Sequence, residues 1–218
     1  MIIILCVSLQ RYYYKQIITD MKRKAFAIMF ALCALVMVAQ DGIKVNYKGA
    51  KPTISDFAWA YLSYMDDGDE CGMEAINAFR EAFIKHRKGQ PQNKGEKFIV
   101  DEKNGFIVYE TKHEGIVDRK EMCYWNEADG KHKLFVFNNM NTLDNGKPIF
   151  TELSDVTFYR YTNATKKMVA CDAPGFKVDY SSTYALPRTG KNIVVTKWND
   201  NGKKVQKILK WNGRKFTK

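Results

Sequence analysis

The sequence predicts an α+β protein: two helices followed by an antiparallel β-meander of about eight strands, closed as a barrel-like sheet or folded as a sandwich. Three observations predict it. Apolar residues recur at the helical period between residues 53 and 88. From residue 96 to 218 they come instead in short runs rich in β-branched and aromatic residues. Those runs are separated by clusters of Asn, Asp and Gly, with no helical stretch between them.

The first helix opens on Thr53-Ile-Ser-Asp56, which has the spacing of a capping box. Phe57, Ala58, Tyr61, Leu62 and Met65 then share one face, giving a helix over about 55–65. Asp66-Asp-Gly-Asp-Glu-Cys-Gly72 interrupts the pattern. Met73, Ile76, Phe79 and Phe83 line one face of a second helix, closed by Gly89 and Pro91 in the expected order. A polar linker, 89–95, leads to the strands.

The strands come as four similar hairpins. Lys97–Val100 and Phe106–Glu110 flank a turn at 101–105, and Glu121–Trp125 and His132–Asn138 flank one at 126–130. Val156–Tyr161 and Lys167–Cys171 flank 162–165, and Asn192–Trp198 and Lys204–Trp211 flank 199–202. Asn-Gly and Asp-Gly supply the positive φ of tight turns. The turns are unevenly spaced, which excludes a propeller or solenoid.

The N-terminus predicts an address. Met21-Lys-Arg-Lys24, an apolar run from Ala25 to Ala39 and the polar Gln40-Asp41 have the layout of a secretory signal peptide over 21–39. Leu32 before Cys33 does not suit lipidation. Residues 1–20 lie upstream of a complete signal and read as a start-site artefact. The expected mature chain, 40–218, is one domain, helical over 53–88 and β-rich over 96–218, located in the periplasm or secreted and without a membrane span. It carries 30 basic and 23 acidic residues, net +7. Its charges are spread singly, and export excludes nucleic acid as a partner while admitting an anionic glycan or envelope surface.

No catalytic, metal or cofactor motif stands out. Asp67 to Gly72 begins like a calcium loop, but Cys71 and Ala78 occupy positions where ligands belong. His86, His113 and His132 lack metal spacing, and there is no nucleophile elbow or Gly-rich phosphate loop. The predicted mature chain holds Cys71, Cys123 and Cys171, an odd number; a Cys123–Cys171 disulfide and buried free thiols both fit the strand-like text around them. The aromatic residues are more suggestive. Tyr124, Trp125, Tyr159, Tyr161 and Trp198 fall in strands, where neighbours point to opposite faces. Either both faces of the sheet are covered, or one row of rings is exposed for stacking on a ligand.

Leu209-Lys-Trp-Asn-Gly-Arg-Lys-Phe216, with Cys123-Tyr-Trp125, Asp129-Gly-Lys131 and Leu186-Pro-Arg-Thr-Gly-Lys191, resembles the C-terminal half of small exported proteins of Bacteroidetes. That resemblance implies location and fold, and assigns no functional residue. The expected function is a non-catalytic binding or interaction module of the cell envelope, with glycan, peptide or envelope protein as partner. The alternatives are an envelope hydrolase with a loop-assembled site and an inhibitor or accessory protein presenting loops to a protein.

Overall fold

The computed structural model describes residues 42–66, 73–151, 154–198 and 203–218. The segment 1–41 with its signal pattern, the acidic stretch 67–72 with Cys71, and the turn 199–202 lie outside the described residues. From Gly42 to Lys218 the chain forms one compact unit.

Helix α1 (Ile54–Asp66) starts where Asp56 reaches back. Its Oδ2 accepts from the Thr53 amide at 2.8 Å and from the Thr53 hydroxyl at 3.0 Å. Ile54, Phe57, Ala58, Tyr61 and Leu62 recur at helical spacing and are all buried. Helix α2 (Met73–Arg87) turns Phe79, Ala82 and Phe83 inward. It ends in a left-handed cap at Gly89, φ 65°, with the Gln90 amide donating to the Lys85 carbonyl at 2.9 Å.

The described strands form two antiparallel sheets. The larger contains β1 (Ile43–Lys44), β2 (Glu96–Asp101), β3 (Phe106–His113), β4 (Ile116–Asn126), β5 (His132–Asp144), β6 (Lys147–Pro148), β7 (Val156–Thr162) and β8 (Lys167–Ala170). Its order is β1-β8-β7-β5-β4-β3-β2, with β6 added on β5. The smaller contains β9 (Ser182–Ala185), β10 (Asn192–Trp198), β11 (Lys204–Trp211) and β12 (Phe216–Thr217), in the order β12-β11-β10-β9. The α+β class holds, and each expected hairpin pairs as such: β2–β3, β4–β5, β7–β8 and β10–β11. The strands are divided between two sheets, as the sandwich alternative has it, and the described residues hold more of them than the eight expected. β3 and β4 also run on past their expected ends to meet through Glu114 and Gly115, whose φ values of 47° and 87° make a two-residue hairpin turn.

Strand alternation explains the layering. Ile107, Tyr109, Met122, Phe135, Phe137, Tyr159 and Tyr161 form one core with the helices. Their neighbours Phe106, Val108, Cys123, Trp125, Leu134, Val136 and Phe158 form a second core with Tyr184, Leu186, Ile193, Trp211 and Phe216 of the smaller sheet and its flanks. The larger sheet is therefore covered on both faces, by helices on one and by the smaller sheet on the other.

A buried polar joint ties the two sheets together. The β4–β5 register shifts between Arg119 and Glu121, and such an irregularity re-aims a side chain. The Glu121 carboxylate accepts from the Leu186 amide at 2.8 Å and from Arg119 Nε and Nη2 at 2.8 and 2.6 Å. Asn138 donates to the Tyr184 carbonyl at 2.6 Å, and Asn141 accepts from the Tyr184 amide at 3.1 Å. Burial pushes the Glu121 carboxyl above its ordinary pKa, against the opposing pull of Arg119.

Candidate functional site

The structure disperses the aromatic residues that the sequence singles out. Trp125 is 4% exposed, packs against Trp211 and Phe216, and donates its indole N–H to the Lys191 carbonyl at 3.1 Å. Tyr159 and Tyr161 are buried on the helix side against Tyr61 and Phe57. Tyr124 is half-buried beside Phe57. Trp198, also half-buried, lies at the far end of β10 with Lys204 Nζ 5.6 Å from its ring centroid. Among the described residues no single row of rings is left open, because both faces of the larger sheet are occupied.

The cysteines are likewise apart. Cys123 is buried on β4, and Cys171 follows β8 and pairs its amide with Phe158 on β7; both are free thiols. With β5 and β7 between them they stand three strand spacings apart, roughly 14 Å. A disulfide spans Cα atoms less than about 7 Å apart, so of the two states the sequence admits for Cys123 and Cys171, bridged or free, the structure has the free thiols. Cys123 also pairs with Val136, four residues along β5 from His132. That is roughly 13 Å, too far for a thiol–imidazole pair. Burial raises the pKa of Cys123, and pushes that of the half-buried Cys171 to about 11, which leaves both poor nucleophiles at neutral pH. Cys171 borders an open groove of about 560 Å³ beside Asp155, Asp172, Phe176 and Tyr180.

The most organised concave site lies at the turn end of the larger sheet. It is a cavity of about 480 Å³ lined by Tyr47, Ala50, Lys51, Pro52, Asn126, Gly130, His132, Lys133 and Asn163. The turn between β4 and β5 supplies much of it and is held on several sides. Asp129 Oδ1 accepts from the amides of Lys131 and His132 at 2.9 and 3.1 Å, and Oδ2 meets His132 Nδ1 at 2.5 Å. The His132 bond and these amides hold the Asp129 pKa down at about 2. Asn163, from the β7–β8 turn, donates to the Gly130 carbonyl at 3.1 Å.

Glu127 is gripped by both arms of Arg160. The Ala128 amide donates to the Gly213 carbonyl at 2.8 Å, where a Cβ on Gly213 would come within 3.2 Å of Ala128. The φ of 90° there favours glycine, and the tight approach to Ala128 adds to that preference.

Lys133 is the distinctive side chain. It lies on the face of β5 that also carries Phe135 and Phe137, and is 9% exposed. Its ammonium donates to Asn126 Oδ1 and sits 4.7 Å from the centroid of Tyr124. Burial first, and the nearby Lys51 charge second, lower its pKa. Two cations thus converge on a cavity whose lining among the described residues includes no carboxylate, together with the Asn126 and Asn163 amides and the Tyr47 ring. Such a lining suits an anionic group.

Glu127, Asp129 and His132 also bring potential ligand atoms within 4.8 Å of one another. The Arg160 clamp and the His132–Asp129 bond already use these groups, so the cluster is accounted for by turn structure. No known protein family, curated protein or solved structure matches the chain. Among the described residues, no helix is long and apolar enough to cross a membrane.

Of this lining, the sequence singles out His132 and the 126–130 turn but not Lys51 or Lys133. One signal was there: Lys133 occupies a strand position in phase with Phe135 and Phe137, which places an ammonium on a buried face.

Proposed function

We propose that the chain is an exported, non-catalytic binding module of the cell envelope, and that the cavity at the β4–β5 turn takes a small anionic group such as the carboxylate of an acidic sugar. The observation that carries this reading is the convergence of Lys51 and the buried Lys133 on a cavity of about 480 Å³ with no carboxylate in its lining among the described residues. The desolvated Lys133 ammonium gains most from an incoming negative charge, since charge-assisted bonds strengthen where water is excluded. The signal pattern at 21–39 supports export. A hydrolase would need a nucleophile or paired carboxylates in the cavity, and the lining offers one imidazole.

The test is a calorimetric titration of the full-length chain with galacturonate and, in parallel, with galactose. Galacturonate is expected to bind and galactose to bind at least tenfold more weakly. Lys133→Met keeps the apolar stem and removes one charged hydrogen bond of about 1.5–3 kcal/mol, which is roughly a 10- to 150-fold loss of affinity. Equal binding of the two sugars, or undiminished affinity in a folded Lys133→Met chain, refutes the reading.

A further inference from the structure

The positive charge of the chain is concentrated in one part of the fold. Residues 186–218 hold ten Lys or Arg and one acid, Asp200, a net charge of +9. Residues 42–185 hold 20 basic and 21 acidic side chains, net −1. The basic segment is the hairpin β10–β11 with β12, which makes up most of the smaller sheet.

The register shows where these charges point. Asn192, Val194, Thr196 and Trp198 stand opposite Lys210, Ile208, Gln206 and Lys204, on the face away from the core. Lys197 and Lys207 lie on the other face, in phase with the core-packed Ile193, Val195, Leu209 and Trp211. β12 pairs only with Lys210 and Trp211, so β11 from Lys204 to Leu209 is an open edge. Lys204, Lys207, Lys210, Arg214 and Lys215 are exposed, and none has a carboxylate within salt-bridge distance among the described residues. Arg188 and Lys197 are paired, with Asp101 at 2.8 Å and Asp179 at 3.1 Å.

Lysines on an edge strand also discourage unwanted strand pairing. That role accounts for Lys204, Lys207 and Lys210. It does not account for Arg214 and Lys215 on the next turn, or for the near absence of acids over the whole segment.

We infer that the β11 edge and the 212–215 turn form a docking track for a linear acidic polysaccharide. Lys204 to Lys210 span roughly 20 Å along the strand, and Arg214 and Lys215 extend the track to the turn that contacts Ala128 beside the cavity. Lysines that alternate between both faces of an edge suit a flexible chain that can wrap the strand. A planar membrane would meet one face at a time, and the outward row of β11 carries only Ile208 as an apolar residue between polar ones. A nucleic acid strand would gain from a stacking platform. The outward face offers one half-buried ring, Trp198, beside Lys204. The track stands independently of the proposed anion cavity.

The test is an equilibrium binding assay of the full-length chain against polygalacturonate, dextran, phosphatidylglycerol vesicles and single-stranded oligothymidylate. Polygalacturonate is expected to bind tightest and to weaken steeply with salt. The triple change Lys204→Gln, Lys207→Gln, Lys210→Gln should weaken it about tenfold or more. The control Lys94→Gln, Lys97→Gln, Lys103→Gln removes equal charge from exposed positions elsewhere and should change it less than about twofold. Equal losses in the two triples, or tighter binding of vesicles or oligothymidylate, overturn the inference. Lys133→Met separates the two sites: it should weaken galacturonate binding roughly 10- to 150-fold while leaving the polymer bound through the track.

Discussion

Replacing Glu121 with Ala tests whether the polar joint holds the smaller sheet on the larger one. Glu121 is fully buried and accepts the Leu186 amide at 2.8 Å. Its removal leaves that donor unsatisfied at a cost of about 1–3 kcal/mol. Breaking a fully buried ion pair costs about 3–5 kcal/mol, but the Arg119 side chain is 36% exposed and can turn toward water. The expected loss is therefore about 2–4 kcal/mol, read as a lower urea midpoint. Amide exchange should rise first at Tyr184 and Leu186, whose N–H groups are bound to Asn141 and Glu121.

Glu121→Gln adds a test of sign. Burial raises the folded pKa of Glu121, so its share of stability is fullest below the ordinary carboxylate pKa, near 4.3, and falls as pH rises through the folded value. A glutamine does not titrate, so the stability gap between wild type and Glu121→Gln should narrow with rising pH. A Glu121→Ala loss below about 1 kcal/mol with unchanged exchange at Tyr184 and Leu186 would refute the joint.

Two further outcomes follow from the same layering. Trp125→Ala removes a buried ring and should cost about 3–5 kcal/mol in chemical unfolding; because that ring faces the smaller sheet, chain that remains folded should keep its galacturonate affinity. Asp101, bonded to Asn104 and Arg188, has its pKa lowered to about 2. Its contribution is present above about 3.9 and is lost as pH falls toward 2. Asp101→Asn should therefore flatten that part of the melting temperature's acid dependence; an unchanged acid profile would show that the link does not act on stability.

The elements that were legible in the sequence are those with a repeated local pattern. Thr53–Asp56 marked the start of α1, Gly89 marked the end of α2, and the turns at 101–105, 126–130 and 162–165 marked hairpins, because capping and positive φ depend on a few adjacent residues. β1, β6 and β12 have two residues each, too few to show a period. The division into two sheets rests on contacts between residues far apart in sequence, such as Glu121 with Leu186 and Trp125 with Lys191. For the candidate site, the local text pointed to rings, while the cavity draws Tyr47 and Lys51 from before α1 and Asn163 from a separate hairpin. The net charge was legible, but its concentration in 186–218 emerges only when the segments are counted separately.

Covering the larger sheet on both faces decides where binding can occur. A strand sequence such as Tyr124-Trp125 sends one ring toward the helices and the other toward the smaller sheet, so aromatic content in β4, β5 and β7 goes into two cores. Apart from the groove beside Cys171, two open regions among the described residues are the turn end of that sheet and the outer face and free edge of the smaller one. Both are populated by lysines: Lys51 and Lys133 at the first, Lys204, Lys207 and Lys210 at the second. The β4–β5 turn lies between these regions, since Glu127 and Ala128 anchor it while Asn126, Gly130 and His132 line the cavity. The turn therefore does more than reverse the chain: Glu127 and Ala128 fix it against Arg160 and Gly213, and Asn126 holds the Lys133 ammonium near Lys51 in a cavity whose lining among the described residues includes no carboxylate.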